Sequence, residues 1–503
     1  MKAIIAFLAA SASHSIVANA IAPIQITLKP MASNELPNVV GILIPRPTVF
    51  NSIALDGRLS YEFLGERFNF TMVQNRGYVT VESLTTREIL RNDCLRRANI
   101  PPISAFVESL RSARVIDDTS VDVVDSAACY DGKVIEFTFG PEVYTFCSRV
   151  NNAITQVNGQ DTKGILQLLQ DNTIDAPNVA DFVRPGGERL GECEILAEET
   201  LSLPMLRRRT AEAPKDCSTS CRNGKKICLF VHGLGVGLDA PLASEYKDYW
   251  GNVSALLKCC SVTRFMRMDT VNNAWYDDLL AKKVCAAAAL LTNSKNAMEL
   301  EKIAIIAHSM GNLIMANAAM KKLCAIGPTS KWIALSGPMS GSRSANIGIN
   351  VCTDRPTPLD DPIVGVLGEV GICPARQTMK SLVFEGSALA SAQLNSLYQQ
   401  ADIEFARHVS SVMCGVDAIG LVTTQAAKYL ALAVISGHAS KLNDGAVDFT
   451  SCRGLIPETA FTTSWSSGNF YKAALNHGDV TLRNGDGWWG SDRKPVKWLN
   501  CQF

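Results

Sequence analysis

The chain has 503 residues, 47% of them hydrophobic and 19% charged. That mix excludes a disordered chain, and the length exceeds what one ordinary core fills, so two domains are expected. Lysine plus arginine and aspartate plus glutamate balance at 48 each, which excludes the basic field of a nucleic-acid-binding protein or of one drawn to acidic membranes.

Residues 1–20 carry Lys2, an apolar run from Ala3 to Ala10, and Ala18-Asn19-Ala20 with small residues where a signal peptidase reads. The pattern predicts a signal peptide cleaved after Ala20, and hence export. Sixteen cysteines in an exported chain predict disulfides. Zinc is disfavoured, because Cys217 and Cys221 lack a second pair at ligand spacing. Asn69-Phe70-Thr71 and Asn252-Val253-Ser254 match the N-glycosylation acceptor. No later segment has the length of a membrane-spanning apolar helix.

Residues 21–200 alternate as short strands, for example Tyr78-Val79-Thr80-Val81 and Lys133 to Phe139, with a helical stretch near Gly164 to Leu169. A smaller, mainly-β or α+β domain is expected there, with Cys94, Cys129, Cys147 and Cys193 offering two bridges. Its role is not readable. Residues 201–220, with Arg207-Arg208-Arg209, read as a charged linker, with a proprotein cleavage site as the alternative.

From 221 to 503 apolar runs alternate with helical segments, the pattern of an α/β domain with a mainly parallel sheet. Lys226 to Val231, Ile303 to Ala307 and Trp332 to Leu335 read as buried strands; Leu279 to Leu291 and Asn312 to Leu323 read as crossover helices.

Between the second strand and its following helix lies Ala307-His308-Ser309-Met310-Gly311. A sharp strand-to-helix turn exposes such a serine as a nucleophile, and small residues two before and two after it make room. The strand ending at Val231 runs into His232-Gly233-Leu234-Gly235. That glycine turn predicts an oxyanion hole from the backbone N–H groups of Leu234 and Met310. Of six histidines, His477 alone follows the turn Asn443-Asp444-Gly445, so His477 is expected as the base and Asp444 as the acid that fixes its tautomer. Asp448 is the reserve acid and Asp417 a weaker one.

Together these motifs, with Asn443-Asp444-Gly445-x-Val447 and Asn476-His477-x-Asp479, resemble secreted lipases and esterases of the α/β-hydrolase superfamily. The resemblance covers roughly residues 226 to 480. It implies a Ser309, His477, Asp444 triad and hydrolysis of carboxylic esters, lipid-like ones included, through an acyl-enzyme. No cofactor is implied, except that some bacterial relatives hold calcium near an aspartate where Asp479 stands. A helical cap insertion is expected at about 341–412, holding Cys352, Cys373 and a helix from Lys380 to Arg407, with simple helical packing on the sheet as the alternative. Cys414 and Cys452 are expected to bridge beside the acid loop, and Trp488-Trp489 reads as core or as an acyl-facing surface. Thioesters or acetylated polysaccharides would suit the same triad. The rival reading is a binding protein on a hydrolase fold that has lost catalysis.

Overall fold

The computed structural model describes residues 24–30, 39–47, 53–63, 65–74, 76–95, 114–116, 133–139, 142–148, 154–158, 162–168, 190, 193–194, 221, 224–294, 299–353, 375–421, 423, 425–438, 440–487 and 489–503. The signal sequence, the 201–220 linker, Cys129, Cys217, Cys373 and Trp488 lie outside them. The chain divides into two compact units, Met1–Arg209 and Thr210–Phe503.

Among the described residues of the first unit eleven strands form one sheet: β1 (Ile24–Pro30), β2 (Val39–Pro47), β3 (Ile53–Phe63), β4 (Glu66–Val73), β5 (Arg76–Ser83), β6 (Ile89–Cys94), β7 (Arg114–Ile116), β8 (Lys133–Phe139), β9 (Glu142–Ser148), β10 (Ile154–Asn158) and β11 (Thr162–Leu168). Their order is β6-β5-β4-β3-β2-β1-β11-β10-β9-β8-β7. Two meanders thus join where β1 pairs antiparallel with β11. In β4 and β5 the paired residues Phe68 and Val81, and Phe70 and Val79, are buried on one face of the sheet, the period of a strand, while Tyr78 is buried on the opposite face with Val73 and Cys193. Cys94 and Cys193 are bonded to each other. The helix expected near Gly164 to Leu169 is instead β11. Its apolar residues favour a helix locally, but each backbone edge is taken by a neighbouring strand, β1 on one side and β10 on the other.

The second unit is built on a seven-stranded mixed sheet. Its strands are β12 (Lys226–Val231), β13 (Ala240–Ala243), β14 (Cys260–Arg267), β16 (Ile303–His308), β18 (Lys331–Leu335), β19 (Ser411–Gly415) and β20 (Phe470–Ala473), in the order β13-β14-β12-β16-β18-β19-β20. All neighbours run parallel except β13, which pairs antiparallel with β14. The short strands β15 (Glu299–Leu300) and β17 (Ala325–Ile326) pair separately.

Alternation along the strands feeds two cores, one on each face. Leu229, Val231, Ile303, Ile305 and Ala307 join one cluster; Cys228, Phe230, Ala304, Ile306 and Ile333 join the other. Continuous apolar runs are what a sheet covered on both faces needs, and full burial of each aliphatic side chain contributes about 1.5–3 kcal/mol. The first cluster includes residues of α1 (Asp278–Thr292), α2 (Gly311–Met320) and a longer helix, Ala392–His408. The second is closed by Trp250, Val253, Trp498 and Leu499.

Among the described residues three helices follow β18 before β19: α3 (Arg343–Thr353), α4 (Gln377–Ser381) and α5 (Ala392–His408). The predicted Lys380 to Arg407 helix is therefore broken. Gly386 takes φ +73°, and Ser391 caps α5 by accepting the Leu394 N–H at 3.1 Å. Helix α5 buries Leu394, Tyr398, Ala401 and Phe405 in the sheet-covering core, with Phe405 packed edge-on to Trp332. It is the crossover from β18 to β19 rather than part of a cap, because its apolar face is spent on the core. Next come α6 (Gln425–Ile435) and α7 (Phe449–Arg453).

Five disulfides join pairs of described cysteines; besides Cys94–Cys193 they are Cys221–Cys259, Cys228–Cys260, Cys285–Cys324 and Cys414–Cys452. Among the described residues no cysteine is free. No described helix is long and apolar enough to cross a membrane.

Candidate active site

The candidate site lies where the parallel strands of the second unit end, at their C-terminal edge. Strand β16 ends at His308, and Ser309 follows in the left-handed region at φ +53°. A non-glycine residue there carries local strain that its surroundings must hold. Here the Ser309 N–H donates to the Leu335 carbonyl at 2.9 Å. Buried Asn312 adds a brace: its amide donates to the Ala307 carbonyl at 2.9 Å and accepts from the Trp332 indole at 3.1 Å. Gly311 is required by close approach, since a Cβ there would stand 2.8 Å from the Val231 carbonyl oxygen.

Asp444 shapes its own turn. Oδ1 accepts the N–H groups of Ala446 at 3.0 Å and Val447 at 2.7 Å, and Gly445 takes φ +95°. The other oxygen, Oδ2, is left for His477 Nδ1 at 2.8 Å, and His477 Nε2 lies 3.0 Å from Ser309 Oγ. The main chain clasps the same pair, with the His477 N–H donating to the Asp444 carbonyl at 2.9 Å. Asp444 is fully buried, and its acceptor role puts the hydrogen of the neutral imidazole on Nδ1, leaving Nε2 to accept. Ser309, His477 and Asp444, far apart in sequence, are thus brought into one hydrogen-bonded line.

Of the two predicted oxyanion donors, Leu234 borders the same cavity as Ser309. Met310 has a buried side chain and sits at the N-cap of α2. Asp448 does not reach His477. Its Oδ2 lies 3.2 Å from His438 Nδ1 and 3.7 Å from Arg343 Nε, and its Oδ1 accepts the Ser440 N–H; at the N-cap of α7 it is one turn past the acid. Asp417 accepts the Ile419 N–H at 3.0 Å.

Asp479, weighed as a calcium ligand, is buried among donors: the Leu421 N–H at 2.7 Å, Asn484 Nδ2 at 2.7 Å and Thr423 Oγ1 at 3.4 Å. Burial pushes its carboxyl pKa up, against the pull of those donors. Donor hydrogens point at the oxygens that a cation would need. Among the described residues no group of three or more His, Cys, Asp or Glu side chains is placed to hold a metal ion.

Sequence reasoning missed Tyr249 and the work of two histidines. The Gly233 N–H donates to the Tyr249 hydroxyl at 2.8 Å, that oxygen lies 2.6 Å from His308 Nδ1, and His308 Nε2 lies 3.1 Å from the His477 carbonyl. Only one proton arrangement satisfies all three: Nε2 of His308 must donate to the carbonyl, so Nδ1 accepts from the Tyr249 O–H. The turn that carries Gly233 is thereby tied, through Tyr249 and His308, to the backbone of His477. Burial holds the His308 pKa well below the usual imidazole range, and His477 and Arg483 lower it further. Burial likewise pushes the Tyr249 hydroxyl far up, so both stay neutral. His232 is pushed down to about 4 chiefly by burial; its Nε2 accepts the Met268 N–H at 3.0 Å and its Nδ1 donates to the Gly233 carbonyl at 2.8 Å. A Cβ at Gly233 would fall 2.6 Å from Ser309 Cβ, so only glycine fits.

Ser309 and His477 open on a cavity of about 480 Å³. It is bordered by Ser344 and Ala345 of α3, Met379 of α4 and Leu382, the part of the expected cap that does approach the site. Trp489 lies away from the cavity lining, under the Arg493 guanidinium at 4.7 Å.

No known family's sequence model matches the chain, and no curated protein sequence does. Among solved structures it is similar to phospholipase PlaB from Legionella pneumophila, at 18% identity and a TM-score of 0.31, over 46% of this chain and 45% of that one. PlaB in complex with thio-NAD matches at 16% identity and a TM-score of 0.28, over 45% of this chain and 44% of that one. The chain thus covers less than half the length of either structure.

Proposed function

We propose that residues 221–503 form an exported serine hydrolase of the α/β-hydrolase type that cleaves carboxylic esters. The observation that carries this reading is the unbroken line Asp444 Oδ2, His477 Nδ1, His477 Nε2, Ser309 Oγ, at 2.8 and 3.0 Å, ending at a serine with φ +53° on the rim of a cavity. Export is supported by the Lys2 and apolar leader pattern and by the disulfides.

In this reading His477 Nε2 takes the Ser309 proton as Oγ attacks the ester carbonyl, and Asp444 stabilises the resulting imidazolium through Nδ1–H. The Leu234 and Met310 N–H groups face the developing oxyanion, helped by the positive end of α2. The imidazolium then hands its proton to the leaving alcohol, and water, activated by the same histidine, frees the acid. The decisive experiment is labelling by a fluorophosphonate probe. Wild type labels at Ser309, and both Ser309→Ala and His477→Ala do not; a folded wild type that fails to label would leave the spent-hydrolase binding protein as the better reading.

A further inference from the structure

Three buried polar atoms with no aligned hydrogen bond among the described residues lie together beside the acid turn: Asp448 Oδ2, His438 Nδ1 and Arg343 Nε. Oδ2 stands 3.2 Å from Nδ1 and 3.7 Å from Nε. The His438 and Asp448 side chains are 3% and 1% exposed, too deep for bulk water to serve them. Buried polar atoms left unpaired are costly, and here each faces one with which it can pair.

The other ring nitrogen points to what the cluster holds. His438 Nε2 lies 3.2 Å from the Gly445 carbonyl, which can only accept, so Nε2 carries a hydrogen. Gly445 directly follows Asp444. The other carbonyls of that turn are held as well: Asp444 by the His477 N–H at 2.9 Å, Val447 by the Asp444 N–H at 3.2 Å, and Ala446 by the hydroxyls of Ser342 at 2.6 Å and Ser344 at 3.3 Å. Gly445 alone depends on an imidazole, and that ring faces Asp448 at the far end of the same turn, where residues 443 and 448 bridge antiparallel. With Nε2 donating, a neutral ring would aim the lone pair of Nδ1 at a carboxylate, two acceptors 3.2 Å apart. One proton between Nδ1 and Oδ2, on either atom, removes the conflict. Arg343 Nε faces the same oxygen and favours negative charge on it.

Resting on the hydrolase reading above, we infer that His438 and Asp448 are a positioning pair for the acid: a proton shared between Nδ1 and Oδ2 fixes the ring, the ring fixes the Gly445 carbonyl, and the Asp444 carboxylate is thereby held toward His477. Neither residue borders the cavity, so the pair acts on the triad and not on the substrate. It is a second imidazole–carboxylate line behind the first, joined to it through one peptide group.

The test uses the full-length protein, para-nitrophenyl hexanoate as the ester, and variants whose circular dichroism matches wild type. His438→Ala and Asp448→Ala each lower kcat by roughly tenfold to a hundredfold, while KM stays within about twofold. The double variant is no slower than the worse single one, because both changes remove the same contact. Asp448→Asn recovers most of kcat: its amide oxygen keeps the Ser440 N–H, and its amide nitrogen donates to a neutral His438 Nδ1. A folded His438→Ala with wild-type kcat would overturn the pair. So would equal losses in Asp448→Asn and Asp448→Ala, which leave only an ion pair with Arg343. If His438→Ala does not fold, the two Asp448 variants decide alone. Independently of turnover, the His477 Nδ1 proton facing Asp444 gives a far-downfield proton NMR signal, which persists in Asp448→Asn and broadens or vanishes in Asp448→Ala. If Ser309 does not label and no ester is cleaved, the hydrolase reading is what fails, and that signal settles the positioning separately: unchanged in Asp448→Ala, it means that the pair does not hold Asp444.

Discussion

Replacing Tyr249 with phenylalanine removes one oxygen atom and leaves two buried groups without their partner, the Gly233 N–H and His308 Nδ1. Each such loss costs about 1–3 kcal/mol, so Tyr249→Phe lowers Tm and, by loosening the turn that carries Leu234, lowers kcat by roughly tenfold with KM little changed. Steady-state kinetics on any cleaved ester would check this; a fall in KM-linked binding alone would assign Tyr249 to the substrate instead. Gly233→Ala is harsher. Its methyl would stand 2.6 Å from Ser309 Cβ, so the probe fails to label even if the chain folds. At this scale the convergence of Ser309, His477 and Asp444 in one hydrogen-bonded line was legible, because a strand-elbow-helix pattern and chain order restrict the choice; their catalytic roles rest on the labelling experiment. Tyr249 was not, since Tyr246-Lys247-Asp248-Tyr249 carries no motif. The one signal was indirect: His232 and His308 each follow five consecutive apolar residues, Ile227 to Val231 and Ile303 to Ala307, and a buried imidazole requires partners.

Between Cys414 in β19 and Cys452 in α7 runs the segment that carries Asp444, closed by a disulfide with a sequence separation of 38. Replacing both cysteines by alanine removes that constraint on the unfolded chain and costs about 3–4 kcal/mol. Asp444 bonds to Val447 inside that loop and to His477 beyond it, so loosening the loop loosens the triad, and activity is lost at a lower temperature than global structure; inactivation and circular-dichroism curves recorded together would separate the two. Strands buried on both faces, such as Ile303 to Ala307, were read correctly as elements because a short, β-branched-rich apolar run is what a strand covered on both faces presents and is too short for a typical helix. The elements misread were those decided by partners. Thr162–Leu168 becomes a strand through pairing with β1 and β10, and Ala392–His408 becomes sheet cover through Tyr398 and Phe405. Neither partner is visible in the local sequence.

Two buried neutral histidines give the whole second unit a pH-dependent stability. His232 is held down at about 4 and His308 well below its ordinary value, so as pH falls below about 6.5 the unfolded chain takes up protons that the folded one refuses. Stability therefore declines between pH 6.5 and 4, by up to about 3 kcal/mol from His232 alone. Asp402 opposes it: burial raises its carboxyl to about 6, so its folded state gains protons, and stability, over part of that window. Thermal unfolding should show Tm dropping from pH 7 to pH 5, and dropping more steeply in Asp402→Asn; a flat profile in both would mean that the histidines are accessible to protons in the native state.

The adjacent cysteines 259 and 260 have a consequence for how the chain must mature. They reach two different points, Cys221 before β12 and Cys228 within it, near the place where Lys226 begins its pairing with Cys260. Exchanging the partners, 221 with 260 and 228 with 259, would press β14 toward a register one residue out. That slip would turn Phe265, packed against Phe230 at 5.0 Å, to the opposite face of the sheet. Two neighbouring thiols thus act as a vernier for the central strands, and oxidation that runs ahead of strand pairing would yield a chain with every cysteine bonded and the wrong side chains facing the core.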